Sequence, residues 1–276
     1  MSYEKSVADH YLHGGLLKAI EDALPAIGKT TSSITIEDLA PVDEFHTGGR
    51  VATDHLLAQL DFNETSHVLD VGCGLGGAAR YVATKLGSRV SGIDLTAEYI
   101  ATGKVLCDWL NLAGLVTMEE GSALSMPFGE GEFDGGYMLH VGMNIEDKGA
   151  LFSEVSRVLK PGAVFGVYDV MRQAEGEITY PVPWATENST SKLATPEQYK
   201  ESLTNAGFGI RQENSRREFA LEFFQKIAAG AKAGGGPPPL GLHTLMKQST
   251  AQKVQNLGAN VANGYLAPVE IIAVKN

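Results

Sequence analysis

Three observations predict an α/β chain with a Rossmann-like, mainly parallel sheet. A short apolar run at Val68, Leu69 and Val71 leads into glycines at positions 72, 74 and 77. Apolar strand-like stretches then alternate with helical periodicity as far as Val170, and a Val/Ile-rich segment from Leu266 to Lys275 closes the chain. Such glycines remove the side chains that would hold a ligand away from the backbone, and the helix opening near Leu75 aims its unpaired N–H groups at the same place.

In chain order, Val7 to Leu24 has apolar residues at helical spacing despite Gly14 and Gly15, so one amphipathic helix is expected ahead of the sheet, with Tyr3 and Tyr11 available to roof a pocket. Gly48 and Gly49 open a helix from Val51 to Leu60 and offer a second set of free amides near Arg50. Strands are expected at 67–71, 89–94, 115–119, 133–140 and 163–170, with helices at 75–86, 96–113 and 147–159 between them. Lys160-Pro161-Gly162 stops the last of these helices. Pro181 and Pro183 make 180–184 a loop over the carboxyl rim of the sheet. Thr195-Pro196 starts a helix ended by Gly207, and a sixth strand follows near Phe208 to Glu213. Helical patterns at 219–233 and 242–262 flank a Gly234 to Pro239 hinge and make a lid or a homodimer interface. The expected organisation is one domain over 1–276, with a helical cap at 1–60 and an inserted lid at 218–263.

The chain has 276 residues, 43% apolar and 20% charged, which is ample for a core, and no apolar run approaches the ~20 residues that span a bilayer. A net charge of −11 argues against nucleic acid and anionic membranes as partners. Cys73 and Cys107 suit neither a disulfide framework nor a zinc site, so no metal is expected, and with no secretion signal a reducing cytoplasm is the expected location.

The spacing of the glycines also fits the dinucleotide fingerprint G-x-G-x-x-G. Asp70 counts against a pyrophosphate, because two anions in a partly desolvated turn repel. A cationic nucleoside fits better, and S-adenosylmethionine has an ammonium, a sulfonium and no phosphate. Asp94 closes the next strand about 20 residues on, where a ribose-binding acid is expected. A nicotinamide-dependent reductase and a cofactor-binding protein without activity are the competing readings.

Five segments in register, Val68 to Gly77, Asp94, Gly121 to Phe128, Phe133 to His140 and Leu159 to Gly162, resemble the class I S-adenosylmethionine-dependent methyltransferases. Phe45-His46-Thr47-Gly48-Gly49 ahead of them resembles the sarcosine/dimethylglycine N-methyltransferases. The resemblance implies a seven-stranded sheet of order 3-2-1-4-5-7-6 with the last strand antiparallel. It implies that Asp70, Gly72 and Gly74 line the methionine portion, Asp94 the ribose, Leu95 a face of the adenine, and Ser122 with Ala123 its edge; Ser122 departs from the acidic residue often found there. Phe45, Gly48, Gly49 and Leu139 complete the expected cofactor set. His140 is the candidate base, with Asn144 and Tyr168 orienting it, and Tyr11, His46, Asp169 and Trp184 are the candidate substrate contacts. The expected acceptor is a small metabolite, an amine or amino acid, with a thiol or hydroxyl compound as the alternative.

Overall fold

The computed structural model describes residues 3–232 and 237–276. Seven strands form one sheet: β1 (His67–Val71), β2 (Arg89–Asp94), β3 (Val116–Glu120), β4 (Phe133–Leu139), β5 (Leu159–Arg172), β6 (Phe208–Ser215) and β7 (Leu266–Lys275). Their order is β3-β2-β1-β4-β5-β7-β6, as the resemblance implies. The pairs β1·β2, β1·β4, β2·β3 and β4·β5 are parallel, and β7 runs antiparallel to both β5 and β6.

Val68 to Val71 are buried on both faces, as a central parallel strand requires. The helices are α1 (Tyr3–Tyr11), α2 (Leu16–Ala23), α3 (Ile36–Asp43), α4 (Gly49–Leu57), α5 (Gly77–Leu86), α6 (Ala97–Trp109), α7 (Lys148–Val158), α8 (Pro196–Asn205), α9 (Arg217–Lys232), α10 (Leu242–Met246) and α11 (Thr250–Ala262). On one side of the sheet Leu69, Val71 and Phe165 pack with Phe152 of α7 and Tyr199 of α8. On the other, Val68, Tyr137 and Tyr168 pack with Leu56 of α4 and Val82 of α5.

The leading helix differs from expectation. Gly14 and Gly15 take φ of 76° and 138° and break it into α1 and α2. The break is held from elsewhere in the chain: the Glu98 carboxylate accepts the N–H groups of His13, Gly14, Gly15 and Leu16 at 2.6–2.9 Å. Partial burial works to raise the Glu98 pKa, but those four donors bring it down to about 2, so the acid is ionised whenever the chain is folded. Its charge thus caps α2 as well as sitting near the positive end of α6.

The second helical segment before β7 is also divided, since Lys247 has a φ of 56° between α10 and a turn leading to α11. Of the expected hinge, Gly234 to Gly236 lie outside the described residues. β5 begins at Leu159, four residues earlier than expected, and shifts register against β4 between its first two pairings. None of the described helices is long and apolar enough to cross a membrane.

Candidate active site

The strands β1, β2 and β4 end in a cavity of about 360 Å³ that α1, α9 and α11 cover. Its floor is the glycine turn after β1, where Gly72, Gly74 and Gly76 all have positive φ. Under the turn, the fully buried Arg80 donates Nη1 to Leu75 O at 2.6 Å and Nη2 to the Asp43 carboxylate at 2.7 Å. The attraction of Asp43 outweighs the burial and keeps the guanidinium charged. Gly77 is required here, because a Cβ would stand 2.4 Å from that of Asp43.

Three acids converge on this end. Asp70 is 2% exposed and accepts from the Tyr137 hydroxyl at 3.0 Å. Burial first, then the charges of Asp94 and Glu44, push its carboxyl up to about 7. Asp94 accepts from the amides of Gly74 at 3.0 Å and Thr96 at 2.8 Å, yet burial still holds its pKa above the ordinary range. Glu44 is tied to Arg50 and to the Thr53 hydroxyl. Among the described residues lining the cavity there is no Lys or Arg. A cation would relieve these acids, whereas a pyrophosphate would meet repulsion without a counter-charge.

Toward β4 the walls change. His140 takes a φ of 55° just past the strand and donates its amide to Tyr168 O at 2.8 Å. Its Nε2 is buried and has no hydrogen-bond partner among the described residues. Burial, with a smaller contribution from His46, lowers its pKa well below the ordinary value, so the ring is neutral. His46 packs at 5.9 Å between ring centres, with its own pKa lowered by burial. His46 Nε2 lies 3.1 Å from Gly49 O, which can only accept, so that nitrogen carries the proton. The Tyr11 hydroxyl sits 3.3 and 3.1 Å from Oδ1 and Nδ2 of Asn144. Met143, Trp184, Phe223, Phe224, Ile227 and Leu257 add an apolar surface, and Glu4, Glu146 and Asp147 also line the cavity.

Most of the expected site residues meet here. Phe45, Asp70, Gly72, Gly74, Asp94, Leu95, Ser122, Ala123 and Leu139 line the cavity, as do Tyr11, His46, His140, Asn144 and Trp184. Four do not. Gly48 lies against the Phe219 ring and Gly49 donates its amide to His46 O at 3.1 Å, and neither lines the cavity. The Tyr168 side chain is fully buried behind the cavity wall, with its ring 5.0 Å from that of His140, and donates its hydroxyl to Thr47 O at 2.9 Å. Asp169 is sealed in by Tyr199, whose hydroxyl donates to it at 2.7 Å, and so cannot attract a ligand in the cavity. Trp184 reaches the cavity but is 2% exposed and spends its N–H on the Ser191 hydroxyl.

The sequence reading missed Glu4, Glu44, Phe223 and Phe224. Glu4 was visible as one of a set, since Glu4, Val7 and Tyr11 fall on one face of a helix at i, i+3 and i+7. The aromatic pair on α9 carries no local sign of facing a site, and Phe224 packs with Leu257 and Val261 of α11 as well as lining the cavity.

Residues 69–167 match the family model described as a methyltransferase domain. A methyltransferase named phqN from Penicillium fellutanum is 33% identical over 122 residues, 44% of this chain, and the match spans only 37% of that protein's length. Geranyl diphosphate C-methyltransferase from Streptomyces coelicolor A3(2), solved with Mg2+, geranyl diphosphate and S-adenosyl-L-homocysteine, superposes over 100% of this chain and 98% of its own with a TM-score of 0.72 at 16% identity. A putative sarcosine dimethylglycine methyltransferase from Galdieria sulphuraria superposes over 82% and 84% with a TM-score of 0.63 at 20% identity. At these identities the superpositions speak for the fold alone. Residues 69–167 therefore carry a methyltransferase domain, set in a chain whose whole sheet has the class I methyltransferase fold.

Proposed function

We propose that this protein transfers a methyl group from S-adenosylmethionine to a small, uncharged and largely apolar acceptor through an acidic hydroxyl of phenol or enol type. Asp70 and the glycine turn would hold the ammonium end of the cofactor, and Asp94 the ribose. The acidic floor, free of Lys and Arg, suits that group and disfavours a dinucleotide. When bound, the cofactor supplies an electrophilic methyl on a sulfonium, a leaving group that needs no acid.

The chain must then align the acceptor, exclude water and take its proton. His140 Nε2 is the observation that carries this reading: a buried, neutral, unpartnered nitrogen at the cavity wall. As the new C–O bond forms and the C–S bond breaks, the hydroxyl proton passes to that nitrogen. Burial disfavours the imidazolium and makes this nitrogen a weak base, which favours a phenol or enol over an alkyl alcohol.

An amino acid acceptor, the first expectation from the sequence, would need a cation for its carboxylate and a free acid for its ammonium. The described cavity lining contains acids but no such cation, and Asp169, the acid expected to meet the ammonium, is closed off by Tyr199.

Mass spectrometry of a mixture of phenols, alkyl alcohols, small thiols, glycine, sarcosine and dimethylglycine, incubated with cofactor and protein, tests the assignment. Methylated phenol or enol oxygen is expected, and methylation confined to glycine or sarcosine would overturn it. His140→Asn should cut kcat by about 10²–10⁴ with cofactor affinity intact. Because His140 is neutral far below the usual range, its protonation should not reduce kcat/KM as pH falls through 6.5.

A further inference from the structure

The α1 helix lies across the cavity with Tyr3, Glu4, Val7 and Tyr11 on its inner face, yet none of its residues is buried. What holds it is a few side-chain bonds: Tyr3 OH to Thr190 O at 3.1 Å, His10 Nε2 to Pro183 O at 3.1 Å, the Tyr11–Asn144 pair, and the Ser122 hydroxyl donating to Glu4. An element with so little apolar burial belongs to the low-stability part of a fold.

The last of these bonds joins α1 to the end of β3. Ser122 is already satisfied as an acceptor by the Leu124 amide at 3.0 Å, so its proton goes to Glu4. Glu4 has no cation partner among the described residues, and the neighbouring Ala123 amide has no acceptor among them. A carboxylate acceptor and a free N–H donor therefore stand together at this edge of the cavity.

Sheet order says what reaches them. On the reading proposed above, on which this inference rests, the amino-acid end of the cofactor lies at the turn after β1 and the ribose at Asp94 after β2. The next strand outward is β3, so the base extends toward Ser122 and Ala123. Adenine presents an acceptor, N1, beside a donor, the 6-amino group. These complement the Ala123 amide and a carboxylate, whereas hypoxanthine, with N1–H and a 6-oxo group, opposes both.

We infer that Glu4 accepts the adenine amino group, which makes α1 a clamp that closes on the cofactor. The same helix carries Tyr11 to the acceptor end, two turns away from Glu4. Cofactor binding then settles the helix that completes the acceptor pocket, so cofactor binds first and acceptor second.

Calorimetric titration with S-adenosylhomocysteine and with S-inosylhomocysteine tests the assignment. The parent should prefer the adenosyl compound, and Glu4→Ala should weaken it by about 10–100-fold, the range for a lost charge-assisted hydrogen bond, while leaving the inosyl compound bound as tightly or more tightly. Glu4→Gln, whose amide can turn to face either base, should narrow the preference without abolishing binding of either. Hydrogen exchange should show residues 3–11 protected by S-adenosylhomocysteine in the parent and not in Glu4→Ala. Equal affinity of parent and Glu4→Ala for S-adenosylhomocysteine, or equal loss for both compounds, would overturn the role of Glu4 and leave the cofactor assignment standing. Failure of the parent to bind S-adenosylhomocysteine at all would overturn both.

Discussion

At one end of the cavity, most of the walls come from the single run of chain between Asp70 and Leu124, set at the ends of three adjacent strands. At the other end, Tyr11, His140, Trp184, Phe223 and Leu257 arrive from five separate parts of the chain and are mostly apolar. The first end is acidic and braced by a buried ion pair, while the second is roofed by α1, which buries none of its residues. A rigid, acidic floor under a loosely held, largely apolar cover is the arrangement expected when one ligand is always the same cation and the other is chosen by shape.

The largest expected effect strikes the brace. Arg80→Met would leave Asp43 as an uncompensated charge beneath the glycine turn, and unfolding by urea should show a loss of about 3–5 kcal/mol. A loss below 1 kcal/mol would mean that the floor does not depend on this pair.

A smaller effect concerns Asp70. Its carboxyl holds a proton up to about 7 in the folded chain, against an ordinary value near 4. The folded state therefore binds more protons than the unfolded one between about pH 4 and 7. That stabilising contribution is complete at lower pH and is lost as pH rises through this window, by up to ~4 kcal/mol. Asp70→Asn should accordingly melt above the parent at pH 8 while binding S-adenosylmethionine at least tenfold more weakly. In the parent, the ammonium of the cofactor should draw the carboxyl into its ionised form, so titrations near pH 6.5 in buffers of different ionisation enthalpy should show proton release. Proton uptake would place the ammonium elsewhere.

The smallest effect belongs to the cover. Tyr11→Phe removes one neutral hydrogen-bond partner of Asn144 and should raise the acceptor KM by about 2–10-fold, with a smaller rise in the cofactor Kd through the loosened α1. An equal rise in both would mean that the two ends are not distinct.

The same contrast explains what the sequence disclosed. The strands, the glycine turn, Asp70 and Asp94 were legible because each depends on neighbours within a few residues and on a fixed strand-turn-helix geometry, whereas the strand order came from the family resemblance. Asp169 was expected at the rim but is closed off, because the strand pattern locates the carboxyl rim and not the partners that close over it: Tyr199 covers Asp169, and Thr47 takes the hydroxyl of Tyr168, whose ring lies beside His140 as expected. The division of the leading helix was half visible in Gly14-Gly15. Its cause was not, since Glu98, the acid that caps the break, lies more than eighty residues away. Glu4 was legible only as part of a helix face with Val7 and Tyr11; its bond to Ser122 was not, that residue being far along the chain.

The account rests most heavily on the acidic floor selecting a cationic nucleoside. Isothermal titration of the parent protein with S-adenosylmethionine and, separately, with NADH tests that directly. Saturable binding of S-adenosylmethionine without binding of NADH is the result expected; saturable binding of NADH with none of S-adenosylmethionine would contradict it.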